Sequence, residues 1–188
     1  MKNYFATLNL PESLSLETEA VDLAWRSATL EAHPDAADAE AGTEHSADLN
    51  LARASLSDPV QRLEHWLDLR TSEASSDRSI QPELMDLFTE IHSKLEAADS
   101  VISRLQQSST ALAKALLTKE AIAAQLGVQN MMRQIQLLKG QITDQFPEYE
   151  IQGDLDDFVE AYRNLGQLKF LKKWEQQCQT RLLSLLEC

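Results

Sequence analysis

The stretch LEAHPDAADA, residues 30–39, decides the fold, because an amphipathic helical pattern ends within it. Apolar side chains recur at helical spacing from Val21 to Ala28, and a proline disfavours helical dihedral angles at the residue before it. We therefore predict that this helix ends just before Pro34 and that an acidic, alanine-rich loop around Gly42 follows. The tripeptide His-Pro-Asp occurs by chance in a chain of this length on the order of once in a hundred sequences, so only its context gives it meaning.

The composition favours helices throughout. The 188 residues are 43% hydrophobic and include only 5 Gly and 5 Pro, which leaves few positions for turns between strands. A formal net charge of −13 argues against binding to nucleic acid or to an anionic membrane surface. No apolar run approaches the roughly 20 residues of a membrane span, and the N-terminus lacks the pattern of a secretory signal. The sequence therefore predicts an all-α, cytoplasmic protein that acts on a protein partner.

The first part of the chain predicts four helices. A short helix near the N-terminus ends at Pro11, and the helix before Pro34 follows it. Apolar residues from Leu49 to Leu56 predict a third helix, and Asp58-Pro59 marks its end or a kink. The fourth helix, VQRLEHWLDL, lies beyond that point.

The remainder of the chain predicts a bundle of three helices. The segment TSEASSDRSIQ, residues 71–81, has little apolar content. We expect residues 1–72 to form the first domain, 73–81 a linker and 82–188 the second domain. One apolar stripe opens the second domain, a long helix spans about 109–146, and a C-terminal helix follows. Candidates for the buried face of the long helix are Leu112, Leu116, Ile122, Leu126, Met131, Ile135, Leu138 and Ile142.

The sequence lacks the patterns of catalytic and metal-binding sites. The four histidines show no HExxH spacing, and neither a phosphate-binding GxxxxGK[ST] loop nor a GxSxG nucleophile elbow occurs. Glu90, His92 and Glu96 share a helical neighbourhood, which a solvated helix face explains better than a metal site. Cys178 and Cys188 suit reduced thiols. We predict a protein that is not an enzyme and has no catalytic residue, cofactor or metal.

In this context the chain resembles a J domain, and it is most similar to the J-type co-chaperones of iron–sulfur cluster assembly, the HscB/Jac type. The resemblance begins at the N-terminus and includes the signature His33-Pro34-Asp35. The positions that carry it in the first domain are Tyr4-Phe5, Leu8, Leu10-Pro11, His33-Pro34-Asp35, Asn50, Ala52, Leu56, Asp58-Pro59, Arg62, Trp66-Leu67 and Leu69. It implies an N-terminal J domain, a helical hairpin with short flanking helices, followed by a C-terminal three-helix bundle.

The resemblance also covers two segments of the second domain. ELMDLF, residues 83–88, is similar to the start of the family's C-terminal bundle, and QLKFLKKWEQQ, residues 167–177, is similar to its last helix. In the family these helices dock the scaffold protein on which clusters are assembled. The implied client-binding residues are Leu84, Met85, Phe88 and Phe170. Their helical spacing equally allows a core role, above all for Leu84 and Phe88, whereas Met85 and Phe170 are not needed for the apolar stripes of their own helices.

The family's activity would make this chain an adaptor between two proteins. The resemblance implies that the J domain recruits an Hsp70-class ATPase through His33, Pro34, Asp35 and Arg26 and stimulates ATP hydrolysis, while the bundle delivers a client. J domains of this kind present Lys and Arg along the second helix, but here acidic residues surround a single Arg26. The alternative is therefore a helical interaction module whose degenerate J domain no longer stimulates an ATPase.

Overall fold

The computed structural model describes residues 2–31, 39–70, 82–151 and 155–187, and these residues form eight helices and no strand. The predicted all-α class is confirmed. The helices are α1 Tyr4–Thr7, α2 Thr18–Glu31, α3 Ala39–Ser57, α4 Pro59–Arg70, α5 Pro82–Gln107, α6 Ala111–Thr143, α7 Phe146–Ile151 and α8 Leu155–Glu187. Within the described ranges, no helix is long and apolar enough to cross a membrane.

The chain divides into two compact units. Unit 1 comprises Met1–Asp77 and Thr143–Leu165, and unit 2 comprises Arg78–Ile142 and Gly166–Cys188. The sequence assigns 143–165 to the second domain, but contacts place this segment in unit 1. One reason is the carboxylate of Glu150, which accepts hydrogen bonds from the backbone N–H groups of residues 14 and 15 and from the hydroxyl of Ser13.

Polar side chains cap the first turns of two helices of unit 1, α1 and α4. The side chain of Asn3 accepts a hydrogen bond from the Ala6 N–H at 3.2 Å and caps α1. Asp58 caps α4, because its Oδ1 accepts from the N–H groups of Val60 at 2.9 Å and Gln61 at 3.2 Å. Asp58-Pro59 therefore separates two helices rather than kinking one, with Pro59 in the first position of α4, where a missing N–H costs nothing.

Two predictions about where helices begin and end need correction. The loop around Gly42 is helical, because α3 begins at Ala39, and the alanines and glutamates of this segment are strong helix formers. The long helix predicted over 109–146 ends at Thr143, and a separate short helix, α7, carries Pro147 at its second position, where proline is tolerated.

The core of unit 2 lies between α5, α6 and α8. Along α5 the predicted stripe is buried at Leu84, Leu87, Ile91, Leu95, Ala98, Val101 and Leu105. The predicted buried face of α6 is correct at Met131, Ile135 and Ile142. It is wrong in the first half of the helix, where the buried residues are Leu117 and Val128. The four predicted core residues there are more than half exposed: Leu112, Leu116, Ile122 and Leu126.

Candidate functional site

A buried histidine connects α1 to α4 within unit 1. The backbone N–H of Tyr4 donates to Nε2 of His65 at 3.0 Å, and the rings of Tyr4 and Phe5 lie 4.5 and 5.7 Å from the imidazole. Burial lowers the pKa of His65, although the nearby carboxylates of Asp68 and Glu12 oppose this shift. Since Nε2 must be unprotonated to accept this hydrogen bond, the neutral imidazole holds α1 in place.

A buried arginine connects the segment before α2 with the end of α3. Nη1 of Arg62 donates to the carbonyl of Leu16 at 2.5 Å and to that of Leu56 at 3.2 Å. Burial lowers the pKa of Arg62, and the negative charges of Asp58, Glu150 and Glu17 act in the opposite direction. This side chain fixes the entry into α2, the helix that leads to the His-Pro-Asp tripeptide.

The packing of α2 on α3 combines an ion pair with an aromatic contact. Nε of Arg53 lies 2.7 Å from Oδ1 of Asp22, and its guanidinium lies 4.3 Å from the centroid of the Trp25 ring. Trp25 also donates from its indole N–H to Oδ1 of Asn50 at 3.1 Å. Arg53 therefore offsets one of the acidic side chains of α2 while it stabilises the hairpin.

The outer surface of α2 carries one basic residue and two exposed leucines. Arg26 is exposed, as a binding residue must be, and Leu23 and Leu30 are 62% and 73% exposed. The three positions share one side of the helix, since they are three to seven residues apart. The other predicted Hsp70-binding residues, His33, Pro34 and Asp35, lie outside the described residues.

An exposed apolar patch occupies one side of α5 and α8 in unit 2. Met85, Phe88 and Phe170 are 50%, 44% and 39% exposed, and we call these three residues the Met–Phe patch. Trp174 is buried next to them, with ring centroids 5.8 Å from Phe88 and 6.2 Å from Phe170. Phe88 and Phe170 flank this buried ring, and Met85 lies one helical turn before Phe88. Exposed apolar side chains of this kind form a surface suited to protein binding.

The fourth predicted client-binding residue, Leu84, has a different position. It is 4% exposed and belongs to the core of unit 2. Phe88, whose helical spacing also allows a core role, is exposed. Leu84 is therefore a core residue, and the exposed apolar side chains of this surface are those of the Met–Phe patch.

The described residues contain no group of three or more side chains able to hold a metal ion. His92 and Glu96 form a pair at 3.2 Å on an exposed face of α5, with both side chains more than 60% exposed. Burial raises the pKa of the Cys178 thiol, so this cysteine is protonated and a poor nucleophile.

The arrangement of the helices matches solved structures over nearly the whole chain. A structure of the chaperone HscB from Vibrio cholerae is similar to this chain with a TM-score of 0.60 and 23% sequence identity, covering 95% of this chain and 96% of that one. The chain has the HscB fold. The crystal structure of the human co-chaperone protein HscB is similar with a TM-score of 0.55 and 17% identity, over 96% of this chain and 82% of that one.

The HscB fold confirms the resemblance found in the sequence at the level of architecture. No protein-family model and no curated protein sequence matches the chain. In this fold α2 precedes the His-Pro-Asp tripeptide, and α5 and α8 carry the Met–Phe patch. Sequence reasoning did not identify two exposed residues of α2, Leu23 and Leu30, which lie on the same side of the helix as Arg26.

Proposed function

We propose that the protein is a co-chaperone that recruits an Hsp70-class ATPase, stimulates its ATP hydrolysis and delivers a client protein. The observation that carries the proposal is the HscB fold over 95% of the chain together with a His-Pro-Asp tripeptide in the sequence directly after α2. The exposed Met–Phe patch on a separate pair of helices supports a second binding activity. An iron–sulfur cluster scaffold protein is the proposed client, because the chain shares the fold of HscB along its length.

The chemistry of the tripeptide supports a specific role for each residue. Asp35 provides a carboxylate that pairs with an arginine of the ATPase in a bidentate, charge-assisted contact. Pro34 restricts the backbone next to it, and His33 helps to maintain that geometry. Arg26, exposed on α2, adds a positive charge for an acidic surface of the ATPase. The adaptor itself performs no covalent chemistry in this scheme.

A steady-state ATPase assay with the cognate Hsp70-class protein tests the first activity. We expect the wild-type chain to raise ATP turnover several-fold and Asp35→Asn to abolish the increase, because the neutral amide cannot form the charge-assisted pair. Asp38→Asn, which removes the same charge three residues away, is the matched control and retains stimulation. Full stimulation by Asp35→Asn would refute the role of the tripeptide.

Binding of the purified scaffold protein tests the second activity. Replacing Met85 and Phe170 with serine removes apolar contact area from the patch, so we expect the affinity to fall by about tenfold or more. Leu183→Ser is the control, since this leucine is also exposed, at 61%, but lies outside the patch. Equal affinities of the patch variant and the control would exclude this surface as the client site.

The degenerate J domain is the second candidate, and one observation favours it. The exposed side of α2 presents leucines beside Arg26, in place of a row of basic residues, and the helix is acidic overall. If the wild-type chain binds a client but leaves ATP turnover unchanged, this second candidate is correct. Stimulation that depends on Asp35 excludes it.

A further inference from the structure

The helix α6 has two apolar faces, and only one of them is buried. Leu117, Val128, Met131, Ile135 and Ile142 face the core of unit 2. Five other large apolar residues are 52–73% exposed, and we call them the outer α6 face: Leu112, Leu116, Ile122, Leu126 and Leu137. At 100° per residue they lie within an arc of about 120°, nearly opposite the buried face. They extend over about 37 Å of helix, far more than an isolated surface leucine.

The charged residues of α6 that lie within the outer α6 face are basic. The helix has four basic residues and one acidic residue, a net charge of +3 in a chain whose formal net charge is −13. The charged residues within the arc of the outer face are Lys119 and Arg133, both exposed. In the part of the chain that the structure describes, neither is paired with a carboxylate. The acidic residue Glu120 lies outside the arc and is paired with Arg104.

Recesses open at both ends of the face. One, of about 390 Å³, is lined by Leu116, Leu117 and Ala113 together with polar residues from the end of α5. The other, of about 380 Å³, has Leu137 and Met131 in its wall, and its charged lining residues are the basic Arg133 and Lys94 and the acidic Glu90. Recesses of this kind accept anchoring side chains of a bound segment.

The apolar residues and the charges of the outer α6 face indicate which kind of molecule binds there. Antiparallel pairing of two copies through this face would bring positive charges against positive charges, and the net charge of −13 opposes approach to an anionic membrane. A straight apolar stripe with basic residues is complementary to an amphipathic helix whose leucine-type anchors repeat at i, i+3 or i+4 and i+7 and whose flanking residues are acidic. We propose that the outer α6 face is a docking site for an acidic amphipathic helix of a partner protein, separate from the Met–Phe patch.

Two synthetic helical peptides test the proposal with the full chain. One has a leucine stripe flanked by glutamates, and the other has lysine in place of every glutamate. We expect the glutamate peptide to bind about tenfold or more tightly than the lysine peptide and to weaken as salt concentration rises. Equal affinities, or no binding of the glutamate peptide, would overturn the proposal.

Matched variants locate the binding site. The double variant L116Q/L126Q removes apolar contacts without adding charge, and we expect it to weaken glutamate-peptide binding about tenfold. The control L183Q/L186Q replaces two leucines of α8 with similar exposure, 61% and 63%, and leaves binding unchanged. A charge-reversed pair, K119E/R133E, should prefer the lysine peptide. Equal loss in L116Q/L126Q and L183Q/L186Q, or an unchanged preference in K119E/R133E, contradicts the assignment.

Two further measurements distinguish other occupants. Sedimentation of the full chain detects a second copy on this face, and flotation with phosphatidylglycerol vesicles detects a membrane. We expect a monomer that does not float. Self-association or vesicle binding that L116Q/L126Q abolishes and L183Q/L186Q does not would assign the face to that occupant and overturn the proposal.

Discussion

Unit 1 contains most of the buried polar contacts, whereas the interior of unit 2 is apolar. Of the buried polar side chains within the described ranges, Arg62, His65 and Asn164 belong to unit 1 and only Gln167 belongs to unit 2. Of the ion pairs of unit 2, Arg104 with Glu120 lies at the surface, whereas Lys139 with Glu175 is partly buried, with side chains 25% and 16% exposed. Buried hydrogen bonds have fixed partners and fixed geometry, but apolar stripes allow several packings.

The difference corresponds to the proposed roles of the two units. A unit that presents one tripeptide to an ATPase needs a single orientation of α2. Arg62 contributes to this orientation by donating to the Leu16 carbonyl just before α2, and Asp22 contributes by pairing with Arg53 of α3. A unit that binds proteins through exposed apolar side chains needs surface area, and unit 2 supplies the Met–Phe patch and the outer α6 face.

The largest effect on stability should come from the apolar core of unit 2. Leu171 is fully buried, so Leu171→Ala removes apolar contacts and leaves a cavity, which should lower the free energy of unfolding by about 3 kcal/mol. Urea denaturation followed by circular dichroism measures the change. The control Leu183→Ala, at a leucine that is 61% exposed, should cost less than about 0.5 kcal/mol. Similar losses for the two variants would mean that α8 does not depend on burial at Leu171.

A somewhat smaller effect should come from the buried arginine of unit 1. Arg62→Met keeps the apolar stem but removes the donors to the carbonyls of Leu16 and Leu56, so we expect a loss of about 2 kcal/mol. Arg181→Met provides the comparison, because Arg181 pairs with Asp99 at 3.1 Å on the surface of unit 2 and should contribute less than about 1 kcal/mol. If Arg62→Met costs no more than Arg181→Met, the contrast between the units is wrong.

The sequence predicted unit 1 better than unit 2, and the reason is physical. Pro11, Pro34 and Asp58-Pro59 mark the breaks between four helices of 4 to 19 residues, so the order of these helices can be read from the sequence. The helix α6 has apolar residues on most of its circumference, so periodicity alone could not choose between Leu116 and its buried neighbour Leu117. Only the positions of α5 and α8 decide which face is covered.

The residues of the candidate site could be predicted from the sequence only in part. Exposure of Met85 and Phe170 follows from their positions outside the apolar stripes of their helices. Exposure of Phe88 does not follow, because Phe88 continues the predicted apolar stripe of α5 and yet is 44% exposed. The polar contacts of Arg62 join residues far apart in sequence, and spacing does not reveal such pairs.

The smallest effect concerns the pH dependence of unit 1 and tests His65. Burial lowers its pKa below the ordinary value of 6.5, so at a pH just below that value the unfolded chain binds a proton that the folded chain does not. Stability from the neutral imidazole is therefore complete above about pH 6.5 and declines as the pH falls from there toward the folded-state pKa.

The variant His65→Gln separates this histidine from the other titrating groups. Glutamine offers an acceptor to the Tyr4 N–H without titrating, so its denaturation midpoint should fall less than that of wild type when the pH is lowered from neutral into the acidic range. His92→Gln is the control, because His92 is an exposed histidine of α5 that contacts Glu96 and Phe88 of its own helix, and its curve is the reference for a histidine lost outside unit 1. Parallel curves for wild type and His65→Gln would show that α1 is held without a neutral imidazole, and the polar character assigned to unit 1 would then depend on Arg62 and Asn164.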